Sequence, residues 1–321
     1  MSKFFKRINN GFQHRLGQMA KFGESKHATK QVEREKYKQE HGNLHGYNPT
    51  KVDGIYSIET MEAYRKSAET FAKWLSENTT IKNASQVTRE HACQYLKERG
   101  TAFSAWTVGL DMATINKLHN WNLTRKELGL KDRKQSDIKR SRCDCPNDRY
   151  IDRERYAKQI DFARGCGCRR QSILKVTPND IEWRNGRAVG VRLVEKGGRK
   201  RTAPILNDYK DRITQIVQNA LKTDPMGNSP LFTEYNKYID NHSFRADYSA
   251  SLMHQLEAER AEGRPLFGGD FEPERLINLK GTDRSDDPKY RDHDRDICAM
   301  VSGALGHNRL RIVFDSYMHK Y

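Results

Sequence analysis

A helical domain followed by a mixed α+β domain with a small antiparallel sheet is the fold class this sequence predicts, on three observations. The chain has 321 residues, enough for about two domains that each bury a core. Between Ser57 and about Leu130, apolar residues recur at three- and four-residue steps behind good capping residues. Beyond about residue 150, short strand-like runs alternate with helical stretches.

The elements follow in order. Residues 1–52 carry eleven Lys/Arg against four acids, and Ile8, Phe12, Leu16, Met19 and Phe22 predict a short amphipathic helix there. Two readings of it stay open: a helix packed on the next domain, or a basic arm on nucleic-acid phosphates. His41 to Pro49 is turn-rich and reads as a linker. In the helical domain, 53–130, Ser57 caps a helix with Met61, Tyr64, Ala68, Phe71, Trp74 and Leu75 on one stripe. Thr88 starts a second helix through Cys93 and Leu96, which Gly100 is placed to stop. Ser104 opens a third through Val108, Met112, Ile115 and Leu118, and a short fourth spans Leu123–Leu128. Four helices with short connections suit a small bundle.

Residues 131–149 are charge-rich and aperiodic, which predicts an interdomain linker. In the second domain, 150–321, helices are expected over Arg153–Arg164 and Arg169–Val176, and strands over Ile181–Trp183, Ala188–Glu195 and Arg201–Ile205. Residues 257–295 are long, charged and rich in Gly and Pro, and read as an inserted surface loop.

Composition narrows the partner. Lys plus Arg number 58 against 42 acids, a net charge of +16, which favours nucleic acid before a membrane surface. No run of eighteen apolar residues and no signal-peptide h-region occur, so a cytoplasmic, nucleoid-associated protein is expected. The six cysteines, at 93, 143, 145, 166, 168 and 298, read as thiols. The pairs Cys143/Cys145 and Cys166/Cys168 suggest a four-thiolate zinc site, but structural zinc favours C-x₂₋₄-C spacing. Buried thiols are the better reading, with no metal and no cofactor expected.

Four short segments carry chemistry. Gly167-Cys168-Arg169 opens a helix that ends in a polar turn at Asp180; Glu195-Lys196-Gly197-Gly198-Arg199-Lys200-Arg201 reads as a hairpin; His242-Ser243-Phe244-Arg245 follows; and Leu305-Gly306-His307 precedes an apolar helix reaching Tyr317. In this order and spacing the set resembles the tyrosine recombinases, the phage-integrase family. The resemblance covers about the last 175 residues. It implies a DNA breaking-rejoining fold whose first, helical domain is a core-binding domain gripping duplex DNA. Arg169, Lys196, His242, Arg245, His307 and Tyr317 are the implied catalytic residues, with Tyr317 the nucleophile. Lys131, Arg133, Lys134, Lys139, Arg140 and Arg142, in the linker, are candidate DNA contacts.

The residue types make the assignment coherent. Phosphodiester exchange without a metal needs a nucleophile, a proton for the leaving oxygen and cations for the pentacovalent phosphate. Two arginines present planar N–H forks that lysine does not copy. The resemblance implies Lys196 as general acid, His242 as proton acceptor and His307 as phosphate donor. It further implies a Holliday junction between dimers or tetramers on a specific double-stranded site, an excisionase-like accessory protein, and integration or excision of a mobile element. A type IB topoisomerase-like DNA-relaxing enzyme and a catalytically inactive DNA-binding protein are the alternatives.

The chain departs from the pattern in places. Ser172 stands where many members carry an acid, so Arg169 is expected to be held differently. Ala246 replaces a frequent second histidine, and the step from His307 to Tyr317 is one residue longer than the commonest spacing. Tyr321 is a competing phenol, one turn further along the same expected helix. With four residues after Tyr317, subunit coupling through a tail helix is expected to be absent or supplied by the inserted loop or N-terminal arm.

Overall fold

The computed structural model describes residues 2–47, 52–134, 137, 150–195, 199–277, 293–307 and 309–317. The chain divides into two compact units, Met1–Lys134 and Gln135–Tyr321.

The first unit is helical. Helix α1 (Lys3–Gln18) starts at Ser2, whose hydroxyl accepts the Phe5 N–H at 3.1 Å. Its stripe of Phe5, Ile8, Phe12 and Leu16 is buried, and Phe12 stacks on Phe71 with ring centroids 5.7 Å apart. The apolar stripe of this helix therefore packs on the domain that follows it. The chain leaving α1 is clipped down as well: Ile55 N–H donates to Met19 O at 2.7 Å and Lys21 N–H to Ile55 O at 3.0 Å. Helix α2 (Lys26–His41) buries nothing. It escaped the sequence reading because it has no apolar stripe, the signal on which periodicity depends.

Helices α3 (Ile58–Asn78), α4 (Arg89–Ala102), α5 (Ala105–His119) and α6 (Arg125–Leu128) begin after Ser57, Thr88, Ser104 and Thr124. Met61, Ala68, Phe71 and Leu75 of α3 meet Leu96, Val108, Ile115 and α1 in one core. Each large side chain so enclosed contributes about 1.5–3 kcal/mol. Gly100 does not stop α4, which runs on to Ala102. It is a packing glycine instead, since a Cβ there would lie 2.6 Å from Leu130 Cδ2. Inside this unit the Asp111 carboxylate accepts Ser67 Oγ at 2.7 Å and Arg99 Nε at 3.0 Å, so its burial is compensated.

The second unit is built round a three-stranded antiparallel sheet in sequence order: β1 (Ile181–Arg184), β2 (Arg187–Glu195), β3 (Arg199–Pro204). Glu195 pairs with Arg199 at the β2–β3 hairpin end, and Gly190 with Pro204 at the other. Helix α7 (Ala157–Cys166) starts four residues later than expected, and α8 is only Arg170–Ile173. Helix α9 (Lys210–Thr223) packs Ile213 and Val217 into the core beside β2. Helices α10 (Asn241–Ala261), α11 (Arg295–Ala304) and α12 (Leu310–Ser316) complete the unit.

The expected inserted loop is largely not a loop where it is described. Helix α10 extends to Ala261, and Phe267, Phe271 and Leu276 are buried with α11. Buried Lys210 donates to Phe267 O at 3.1 Å and to Asp270 at 3.0 Å, while Glu259 accepts the Phe267 N–H at 2.6 Å. Arg275 grips Glu182 of β1 with two bonds, at 3.0 and 2.9 Å. These polar ties explain why a charge-rich stretch reads as surface yet packs against the sheet. Residues 278–292 lie outside the described set.

Candidate active site

Four segments distant in sequence converge in the second unit. The first is the α7–α8 turn. Gly167 ends α7 with φ +56, a left-handed conformation, and a Cβ there would sit 2.3 Å from Tyr248 Cδ1. The turn delivers Arg169 to the start of α8, and its Nη1 donates to Glu195 Oε2 at 2.6 Å.

The second segment is the hairpin. Val191, Leu193 and Glu195 share the inward face of β2 by the two-residue repeat. Glu195 therefore ends that strand buried. Its other oxygen accepts Arg201 Nε at 3.1 Å and Nη2 at 2.9 Å. Burial acts to raise the Glu195 pKa, but the Arg201 charge and the Arg169 bond outweigh it and hold the carboxyl below its ordinary value. Arg201 also donates to Gly167 O at 3.2 Å and to Ala304 O.

The third segment is the start of α10, capped by Asp240, which accepts the Ser243 N–H at 3.2 Å. Asn241 moors this end: its Nδ2 donates to Cys168 O at 2.8 Å, and its Oδ1 accepts Tyr235 Oη at 2.8 Å. His242 and Arg245, three residues apart, lie on one helix face. Arg245 is only 2% exposed, and donates to Gly167 O and Leu305 O and through Nε to Tyr317 Oη at 3.2 Å. Burial, then the nearby Arg201 charge, lowers its pKa to about 10, so it stays charged at neutral pH.

The fourth segment runs from α11 into α12. Gly306 turns the chain at φ +72, and the His307 N–H donates to Ser302 O at 2.8 Å. Tyr317 is the residue that ends α12 rather than part of a longer helix. Its ring lies 5.3 Å from the His242 ring, 5.7 Å from the His307 ring and 5.4 Å from the Arg245 guanidinium, centre to centre. The phenol is 5% exposed. Solvent reaches the cluster at Arg169, whose side chain is 36% exposed against 4% for Arg201.

Arg169, His242, Arg245, His307 and Tyr317 are thus brought together. Lys196 and Tyr321 lie outside the described residues. Sequence reasoning singles out neither Glu195 nor Arg201, because a charge in a basic hairpin reads as solvated. Three guanidinium groups face one carboxylate, an excess of positive charge suited to a phosphate.

Of the candidate DNA contacts, Lys131, Arg133 and Lys134 are exposed, and the Arg133 guanidinium lies 5.7 Å from the Trp106 ring centre. Lys139, Arg140 and Arg142 lie outside the described residues, as do Cys143 and Cys145. Cys166 and Cys168 are buried free thiols, and burial pushes the Cys166 thiol well above its usual range. Among the described residues no group of three or more His, Cys, Asp or Glu side chains could hold a metal. Nor is any described helix long and apolar enough to cross a membrane.

Residues 51–126 match the family described as phage integrase, N-terminal SAM-like domain. The structure of XerH, a site-specific recombinase bound to palindromic difH substrate in a post-cleavage complex, matches with a TM-score of 0.53 and 13% identity. That match covers 99% of this chain and 92% of the XerH chain. The chain has the tyrosine recombinase fold. A second, pre-cleavage XerH complex gives a TM-score of 0.49 at 12% identity, covering 98% of this chain and 92% of that one. The Tn1549 transposon integrase in complex with transposon right end DNA gives 0.42 at 11% identity, covering 91% and 95%. No curated protein matches the sequence. The carboxylate that holds Arg169 is thus Glu195 of β2, while Ser172 on α8 is buried.

Proposed function

We propose that this chain is a site-specific DNA recombinase of the integrase kind, which integrates or excises a mobile element. The observation that carries the reading is the contact of Tyr317 Oη with Arg245 Nε at 3.2 Å, with the His242 and His307 rings beside the phenol. In the proposed step the Tyr317 oxygen attacks a backbone phosphorus and loses its proton to His242. A 3′-phosphotyrosine bond forms, and the bond to the 5′-oxygen breaks. Lys196 supplies the proton that the leaving 5′-oxygen takes up. Arg169 and Arg245 stabilise the charge on the non-bridging oxygens, and His307 donates to one of them. Because the phosphotyrosine conserves the bond energy, the reverse attack by another strand's 5′-hydroxyl rejoins DNA without ATP. Repetition on paired sites gives a Holliday junction, the product that separates recombination from topoisomerase-like relaxation.

The test is a nicked suicide duplex that traps the adduct. Tyr317→Phe is expected to retain DNA binding and lose the covalent adduct, whereas Tyr321→Phe retains it. A phosphotyrosine mapped to residue 321 would show the nucleophile to be misassigned. Since the cationic charge comes from side chains, the covalent step is expected to persist in EDTA. Strict Mg²⁺ dependence of cleavage would refute the mechanism.

A further inference from the structure

We propose that Glu195 is a positioning residue that sets the orientation of the Arg169 guanidinium toward the scissile phosphate. The inference deepens the recombinase reading and rests on it.

The geometry separates this carboxylate from an ordinary buried ion pair. Its side chain is 2% exposed, yet it joins two arginines in different settings: Arg201, 4% exposed, and Arg169, 36% exposed. One oxygen is committed to the first and the other to the second. Arg201 is itself immobilised by Gly167 O and Ala304 O, so Glu195 is anchored on one side and presents its remaining oxygen to the only solvent-reached guanidinium of the three. A guanidinium is a planar fork, so one charge-assisted bond at Nη1 constrains the direction of its other N–H groups. Gly167 O accepts from both Arg201 and Arg245, which carries the tie on to Tyr317. Arg169 touches the phosphate in the proposed reaction; Glu195 acts only through it.

The experiment uses the full chain. Nicked duplexes of randomised sequence are incubated with the wild-type protein, and the covalent adducts recovered under denaturing conditions identify a cleaved duplex. Single-turnover adduct formation and duplex affinity are then measured for wild type, Glu195→Gln, Arg169→Lys and the double variant. Glutamine keeps the size and an acceptor oxygen but removes the charge. Loss of one charge-assisted bond predicts roughly 10–100-fold slower adduct formation. Affinity is expected to stay within about twofold, because the interaction is needed only for the reacting phosphate. In the Arg169→Lys background, the added Glu195→Gln change is expected to cost about threefold or less, since residues that act as a unit are not additive. Adduct formation by Glu195→Gln at the wild-type rate would overturn the inference, as would the same penalty in both backgrounds. If Glu195→Gln melts early, Glu195→Asp, which keeps the charge one methylene short, replaces it. Rate, affinity and melting temperature falling together in both variants would make the role structural only and overturn the proposal. A wild-type protein that forms no adduct fails the recombinase reading and this inference with it; a reactive wild type beside an unaffected Glu195→Gln fails this inference alone.

Discussion

His119 shows how a single buried group ties the first unit's stability to pH. Its ring stacks on Trp121 at 4.3 Å and meets Phe12 edge-on at 5.8 Å, and its Nε2 is buried with no hydrogen-bond partner among the described residues. Burial, and secondarily the Arg15 charge, lowers its pKa from 6.5 to about 4. The unfolded chain therefore takes up this proton near pH 6.5, and the folded unit not until about pH 4. Stability is full above about pH 6.5, falls as the pH drops through this window, and levels off below about 4, for a total of roughly 2–4 kcal/mol. Melting curves of wild type and His119→Leu between pH 7.5 and 4.5 check this. The wild type should lose melting temperature across that range, and a variant just as pH-sensitive would remove His119 as the cause.

Elements differ in how much of their role periodicity reveals. Helix α1 has a clean apolar stripe, and Phe12 within it is fully enclosed. Phe12→Ala is expected to cost the first unit about 3–5 kcal/mol, read from denaturant unfolding. Helix α2 buries no residue, so Val32→Ala, at a site 68% exposed, is expected to change stability by less than about 0.5 kcal/mol. In α11, a Cβ on Gly303 would lie 1.8 Å from Leu276 O, a backbone atom that no side-chain rotation relieves. Gly303→Ala is therefore expected to destabilise the second unit by about 1–3 kcal/mol, despite alanine's better helix propensity. An unchanged unfolding midpoint would mean that the segment around Leu276 is not held against α11 as described.

At the scale of the whole molecule, the governing quantity is charge. With 58 Lys and Arg against 42 acids, the chain carries a net +16. If about six to ten DNA phosphates are neutralised on binding, affinity is expected to fall roughly 10³–10⁵-fold between 50 and 200 mM salt. Affinity measured across a salt series checks this, and a nearly flat dependence would exclude extensive phosphate contact. The two compact units give a second check: a cut within the basic segment 138–149 should leave two fragments that each unfold cooperatively.

The sequence by itself determined the order of a helical unit before an α+β unit, because apolar periodicity and capping residues are local properties. Ser57, Thr88 and Ser104 mark three helix starts. Ordered short motifs likewise made Arg169, His242, Arg245, His307 and Tyr317 legible as one candidate set. Other features depend on what lies across the fold, which no local pattern encodes. Gly100 looks like a helix stop until Leu130 is seen packed against it. Residues 265–277 look like surface until Lys210, Glu259 and Glu182 are found holding them. Glu195 was the least legible, since a charge beside a lysine in a basic hairpin reads as solvated. Only tertiary structure decided that it is buried between Arg169 and Arg201, because burying a carboxylate is tolerable only where such distant partners converge on it.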